Sequence, residues 1–314
     1  MKESTLLRCR PHATMNMVLA LLSVIALPSA QAAESETDLK VMSFNIRYSY
    51  GRPQEPAAEN DWADAQSPRR ERAIRVVREC MPDVLGVQEA RDLQVEDFRK
   101  ALPEYGFYGI GRDDGRTAGE FSGIFYNKDR FTRVDAGSFW LSATPEKPGT
   151  TFYEAPNAVP RIASWVRLVD KESGRQILVL NMHWDHIDAP ARRQSARLVR
   201  RRLAEVAEGL PPIVMGDLNA HEQSPEVKEL RGGEGRAGRQ LIDSYRSVNP
   251  EREPDESTFN HWRGATAGSR IDFILHTDEF TPAKAAIVRT EFDGRWPSDH
   301  YPVTATLRFE MAAD

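Results

Sequence analysis

The sequence predicts an α/β fold carried by one domain from about residue 36 to residue 310. Two observations lead there. Apolar runs of strand length alternate with stretches whose apolar residues recur at helical spacing. The connections are short or helical, and no shift in composition cuts the chain in two. Length alone, 314 residues with 40% hydrophobic and 28% charged, supplies ample core material and allows one domain or two.

The elements follow in order. Met1 to Ala32 reads as a secretory signal: basic residues, an apolar run from Met17 to Leu27, then Ala30-Gln31-Ala32 for the peptidase. Export to a periplasm or the extracellular space is therefore expected, with cleavage near Ala32. Of the two cysteines, Cys9 lies in that leader, so Cys80 is expected as a lone structural thiol. No later segment reads as a membrane span, and a monomer is expected.

Leu39–Ile46 is the first strand, placing Asn45 near its end. Residues 51–66 read as loop, and Ser67-Pro68 as cap and first position of a helix carrying Ala73, Ile74, Val77 and Cys80 on one face. Pro82-Asp83 ends it, and Val84–Glu89 is a buried strand ending in a carboxylate. A short helix over about 94–102 and a strand over Phe107–Ile110 follow, then a Gly-rich charged loop, residues 111–119. Glu120 precedes the strand Phe121–Tyr126. Residues 142–158 form a long polar connection, Arg161–Val169 a strand, and Gly174 a hairpin turn into Gln176–His183.

Residues 189–208 form a helix with Ala196, Val199, Leu203 and Val206 inward. Its many arginines are either a solvated surface or a basic flank for an anionic substrate. Residues 231–238 are Gly-rich. Ile213–Met215, Ile271–Leu275 and Val303–Phe309 complete the strands.

Ile213–Met215 delivers Asp217 and Asn219 two residues apart, a spacing that faces one point if strand geometry persists. A carboxylate to orient or deprotonate water beside an amide for an oxyanion suits a hydrolytic site; a plain Asp/Asn turn is the other reading. Strand ends elsewhere carry Asn45, Glu89, His183, Asp272 and Asp299-His300. Oxygen donors such as Glu89 suit a hard cation, Mg2+ or Mn2+, and there is no thiolate cluster or helical His pair for zinc. The formal net charge of −5, about −7 without the basic leader, is not that of a protein that embraces duplex nucleic acid.

In order, Ser-Phe-Asn45, Gln-Glu89, Asn-Met-His183, Gly-Asp217-Leu-Asn219, Arg-Ile-Asp272 and Ser-Asp299-His300 resemble the endonuclease/exonuclease/phosphatase superfamily over essentially the whole chain after the leader. The resemblance implies a DNase I-like four-layer sandwich of two mixed β-sheets flanked by helices, and phosphoester hydrolysis with one or two Mg2+ or Mn2+ ions. Glu89 resembles the principal metal ligand, helped by Asn45. Asp217 resembles the acid that serves the water, Asn219 the amide on the phosphoryl oxygens, and His183 and His300 the phosphate-gripping pair. Asp299 resembles the carboxylate partner of His300 or a metal ligand, and Asp272 a phosphate-orienting acid.

The Asn-Met-His183-Trp-Asp185-His186 segment resembles a bacterial, mostly exported group near the deadenylases and nocturnin. Asp185 and His186 are thus expected near the substrate. In that group's pattern Glu120 pairs with His183, which would raise the His183 pKa; a surface acid is the alternative. Arg161 is either a phosphate fork or a hairpin surface residue, and His221, His261 and Trp262 are rim candidates. The expected function is a phosphodiesterase of nucleic-acid type (3'-5' exonuclease-like) on RNA or DNA. The alternatives are a phosphatase or phosphodiesterase for small phosphorylated molecules or phospholipid head groups, and a binding module without catalysis.

Overall fold

The computed structural model describes residues 38–49, 61–63, 68–232 and 238–309. The expected leader at 1–32, the exact domain limits and most of the loop 51–66 lie outside them, as do Ser67 and part of 231–238. The order is β1 (Asp38–Asn45), a short 3-10 turn (Asp61–Ala63), α1 (Arg69–Cys80), β2 (Val84–Ala90), α2 (Asp92–Ala101), β3 (Tyr105–Tyr108), β4 (Phe121–Asn127) and β5 (Phe131–Trp140). Then come β6 (Ile162–Asp170), β7 (Gln176–His183), α3 (Ala189–Ala207), β8 (Pro212–Asp217), α4 (Pro225–Arg231), β9 (Ile242–Asp243), α5 (Ser244–Val248), β10 (Asp272–His276), β11 (Phe280–Ile287) and β12 (Val303–Phe309).

The strands form two six-stranded sheets, ordered β11-β12-β1-β2-β4-β3 and β5-β6-β7-β8-β10-β9. Each is mixed: β1 runs parallel to β2, β7 parallel to β8, and the other neighbours are antiparallel. Three apolar cores mark the four layers. Met42 and Phe44 of β1 pack with Ala73, Val77 and Phe98 of α1 and α2. Leu178 and Leu180 of β7 pack with Ala196, Val199 and Leu203 of α3. Between the sheets lie Val41, Val84, Ile124, Val179, Ile213, Met215 and Leu307. Strand periodicity produces this directly, since successive side chains leave opposite faces.

The central strands match the sequence expectation, whereas β5, β9 and β11 go unforeseen and β3 begins two residues early. Those four are edge strands. Edges bury little and carry charges or Pro, as Asp135, Pro282 and Lys284 do, so their apolar pattern is weak. The short helices α4 and α5 are likewise new. At α1, Pro68 is the cap and Arg69 the first helical residue.

The interior between the sheets changes along its length. On β7, Ile177 and Val179 are followed on the same face by Asn181 and His183; on β8, Ile213 and Met215 by Asp217. Asn181 crosses to the other sheet, donating to the carbonyls of Val87 (2.9 Å) and Gly123 (2.8 Å) and accepting from Gln88 (2.7 Å). Gly86 permits that crossing, because a Cβ there would sit 2.9 Å from the Asn181 amide. A polar layer in which the Asn181 amide is fully bonded thus pins the sheets together beneath a charged one, and pinning of this kind limits sliding.

Candidate active site

Antiparallel and parallel pairing together place the singled-out residues at one end of the sandwich. They sit at the ends of β1, β2, β7 and β8, which leave that end, and at or just before the starts of β4, β6, β10 and β12, which enter from it. His183 pairs with Asp217, and Asp217 with Asp272, in register across β7, β8 and β10, so three functional side chains stand in one row. The cleft above them has a volume of about 520 Å³ and is lined by Arg47, Glu89, Arg112, Glu120, Arg161, His183, His186, Asp217, Asn219, Phe259 and His300, among others.

Local backbone geometry departs from simple strand rules here. Alternation would send Glu89 with Leu85 and Val87 toward the helices. A register shift between Val87 and Ala90 and a left-handed φ of 60° bring its carboxylate instead to Asn45, whose Nδ2 donates to Glu89 Oε1 at 3.0 Å. Asn219 is left-handed too (φ 46°), and its N–H donates to Asp217 Oδ1 at 2.9 Å. The two therefore converge through a side-chain-closed turn after β8 has ended, not through continued strand periodicity. Arg47 is a third left-handed non-glycine residue at the site (φ 55°). Such conformations cost about 1–3 kcal/mol each and persist where surroundings enforce them. Gly216, at φ 145°, approaches the Met182 carbonyl so closely that no side chain fits.

Hydrogen bonds then define the roles available. The Asn45 amide bridges two acids, with Nδ2 also 3.0 Å from Asp217 Oδ2, while its oxygen accepts from the Arg47 N–H. Its oxygen is thus engaged by the backbone at Arg47, and its nitrogen lies between Glu89 and Asp217. His300 Nδ1 lies 3.0 Å from Asp272 Oδ2, and His300 Nε2 is 3.8 Å from Asp217. Asp272, not Asp299, is therefore the carboxylate partner of His300. Asp299 is buried, accepts from Ser298 Oγ and faces Arg47 Nε at 3.7 Å.

Glu120 does not reach His183. It grips Arg112 through two hydrogen bonds of 2.6 and 2.8 Å. His183 lies against Arg161 (3.0 Å) and Asn219 Nδ2 (3.0 Å), with Asp217 at 3.5 Å. Its pKa consequently falls well below the ordinary value, from burial first and then the Arg161 charge, where a carboxylate partner would have raised it. Asp185 lies outside the cleft lining. It accepts from the N–H groups of Ile187 and Asp188 and from the Tyr153 hydroxyl, fixing the turn before α3. His186 does line the cleft, and Arg161 is buried there rather than on a hairpin surface. The α3 arginines largely tie neighbours down: Arg192 to Glu226, Arg200 to the Leu230 carbonyl, Arg202 to Glu146. His221 and His261 are exposed.

Electrostatics divide the groups. Burial and then the Asp272 charge push Asp217 up to about 7. Burial alone would depress His300, but Asp272 and Asp217 outweigh it and hold it near 10, protonated at neutral pH. Burial would raise Glu89, yet Arg47 and the Asn45 amide keep it below its ordinary value, ionised. Arg47, Arg112 and Phe259 went unnoticed in the sequence. Phe259 packs its ring 5.0 Å from His300 and 4.1 Å from His261.

One atom each from Glu89, His183 and Asp217 lie within 4.8 Å of one another, as do atoms of Asp217, Asp272 and His300. In the second group the imidazolium is not a ligand. In the first, two carboxylates suit a hard divalent cation, so the residues present fit one.

A two-sheet sandwich with acids, amides and two histidines gathered at one edge defines the DNase I-like class. The chain belongs to the endonuclease/exonuclease/phosphatase family, whose model matches residues 42–300. It is similar to an endonuclease/exonuclease/phosphatase from Bacteroides vulgatus (32% identity, 88% of this chain and 100% of that one, TM-score 0.76). It is also similar to a mannosyl-6-phosphatase of Bacteroides thetaiotaomicron (33% identity, 86% and 100%, TM-score 0.75). The human nocturnin catalytic domain shares the fold at 19% identity (88% and 97%, TM-score 0.66). Among curated sequences, the match to an uncharacterised protein of Acanthamoeba polyphaga mimivirus, 24% identical over 160 residues, spans 49% of this chain and 59% of that protein.

Proposed function

We propose that the chain is an exported, divalent-metal-dependent hydrolase of small phosphorylated molecules. The observation that carries this is the polarised cleft. Its acidic part, around Glu89 and Asp217, suits a cation, and the guanidinium of Arg161, on the far side of His183, suits an anion. At about 520 Å³ it has the size of a small-ligand site, about 300–1,000 Å³. The acidic net charge and the similarity to a phosphatase add support. The sequence alone favoured nucleic acid; the walled cleft shifts the weight to the small-molecule alternative.

Glu89 and Asp217 would hold the cation, which when bound draws charge from a phosphoryl oxygen. Asp217 accepts a proton from the attacking water, whose oxygen bonds to phosphorus as the ester P–O bond breaks. The His300 imidazolium offers a hydrogen bond to the oxygens that gain charge, while Asn219 Nδ2, bonded to the Trp184 carbonyl and to His183 Nε2, fixes the His183 ring beside them. The departing alkoxide takes a proton from His300, and Asp217, 3.8 Å away, returns one to it. The products are an alcohol and a phosphate with one ester bond fewer.

The test is a panel with Mg2+ or Mn2+: sugar phosphates, nitrophenyl phosphoesters, single-stranded RNA and DNA. Small esters should turn over, EDTA should abolish turnover, and Mg2+ at about a hundred times its Kd should stabilise the fold by about 2.7 kcal/mol, raising Tm by several degrees. Oligonucleotide shortening without small-ester hydrolysis would overturn the proposal.

A further inference from the structure

Arg161 stands just before β6 with 6% of its surface exposed, yet among the described residues no carboxylate touches it. Nη1 lies 3.0 Å from the His183 ring nitrogens, Nη2 lies 2.8 Å from His186 Nδ1, and Nε has no hydrogen-bond partner among the described residues. An imidazole carries no negative charge in either protonation state, so neither histidine offsets the guanidinium charge. Arg112, the neighbouring cation, is already matched by the two-pronged grip of Glu120 and fixed by its own carbonyl, which accepts from Trp140 Nε1 at 2.6 Å. This wall of the cleft therefore carries one buried positive charge that no carboxylate contacts; Glu120, Asp185 and Glu89 act on it only from farther off, and burial with the Arg112 charge still lowers its pKa. Such a charge is costly to bury and gains most from an anion that arrives in the same dry space.

The position says which anion. Arg161 touches His183, and His183 Nε2 is 3.0 Å from Asn219 Nδ2 and 3.5 Å from Asp217. The guanidinium is one imidazole away from the groups placed around the attacked phosphorus, so it addresses the same phosphoryl group rather than a distant one. We infer that Arg161 selects phosphomonoesters over phosphodiesters by taking the third non-bridging oxygen, the one a diester esterifies. A monoester presents two charges on three such oxygens at neutral pH. A diester presents one charge on two, and puts carbon where the fork must close. The planar fork of arginine matches two phosphate oxygens at once, which an ammonium does not.

The inference rests on the phosphoesterase reading of the cleft, and a matched pair of substrates separates the two. The chain, with saturating Mg2+ or Mn2+, is assayed on p-nitrophenyl phosphate and on methyl p-nitrophenyl phosphate, which share a leaving group and differ by one methyl. Wild type should favour the monoester. Arg161→Gln should lower kcat/KM for the monoester about a hundredfold and for the diester at least about tenfold less than that, and should weaken inhibition by inorganic phosphate. Arg161→Lys should lower the monoester-to-diester ratio about tenfold. An equal loss on both substrates would make Arg161 a support for His183 and overturn the inference. So would a wild type indifferent to the methyl group, although the small-molecule phosphoesterase would stand. Inactivity on both, with oligonucleotides shortened, would overturn the small-molecule reading itself, and the inference with it. If a thermal melt shows Arg161→Gln unfolded, Arg161→Lys decides, and an unchanged ratio sinks the inference.

Discussion

Two buried charge clusters lie side by side on the same two chain segments, and they are built on opposite principles. One is the cleft, with Asp217 at the end of β8, Asn219 just after it and Asp272 at the start of β10. The other begins a few residues further on, at Glu222, and a few residues earlier, at Arg270. There Arg270 bonds Glu222 (2.6 Å) and Asp243 (2.8 Å), Arg246 bonds Glu222 (3.1 Å) and Glu256, and Arg252 bonds Glu222. Three acids meet three guanidiniums. Burial would raise Glu222, but these arginines hold it down to about 2. In the cleft, burial wins at Asp217, Glu120 and Asp299, all raised, and Asp272 Oδ1 has no hydrogen-bond partner. A cluster in which every charge meets its opposite holds the fold; one that leaves acids raised on one side and a cation without a touching carboxylate on the other is arranged for ligands of both signs.

The largest effect should separate activity from stability. Asp217→Asn keeps the size of the side chain and removes the water's base, so kcat should fall about 10³-fold or more on any substrate the wild type hydrolyses. Its Tm should not fall, because a like charge beside Asp272 has been removed. A melt lowered by several degrees would show that Asp217 belongs with the structural cluster instead. Arg270→Met should do the reverse. The aliphatic chain can still pack against Tyr245 and Phe273, whose rings lie 4.4 and 5.0 Å from the guanidinium, but Asp243, 1% exposed, loses its paired cation. Denaturant unfolding should report a loss of about 3–5 kcal/mol. Folded protein at permissive temperature should keep kcat within a fewfold.

That contrast also explains what the sequence disclosed. Central strands and helix stripes were legible because burial imposes period 2 and period 3.6, and Asn45, Glu89, His183 and Asp217 were legible as polar residues ending apolar runs, Asp272 and His300 as polar residues at or before the start of others. Their partners were not. Which carboxylate faces which cation depends on approach across the two sheets: Glu120 to Arg112 rather than His183, Asp272 rather than Asp299 to His300. Nor could Asp185 be separated from His186, since both end the same run and only the turn geometry sends one to the backbone and the other to the cleft. The left-handed residues Arg47, Glu89 and Asn219 break the alternation on which such reading relies, and all three sit at the site. Arg270 looked like a flank of the Arg-Ile-Asp272 motif; its neighbour, not the arginine itself, faces the cleft.

The smallest effect concerns pH, and here the two clusters should differ in sign. The folded pKa of Glu222 is depressed below the ordinary 4.5, so its contribution to stability is fully present above 4.5 and is lost as pH falls toward 2. Glu222→Gln should therefore be less stable than wild type at pH 7, by about 1 kcal/mol, with the gap closing on acidification below 4.5. The folded pKa of Asp217 is raised above the ordinary 3.8, so in EDTA its ionisation costs stability above about pH 7, and that cost fades as pH falls through 7 toward 3.8. Asp217→Asn should accordingly be the more stable protein at pH 8 and match wild type near pH 4. Urea midpoints for the three proteins at pH 8, 6, 4 and 3 would trace both curves. Gaps of the same sign would mean that the acids of the cleft are as well matched as those around Arg270, and that the division between a holding cluster and a ligand-seeking one fails.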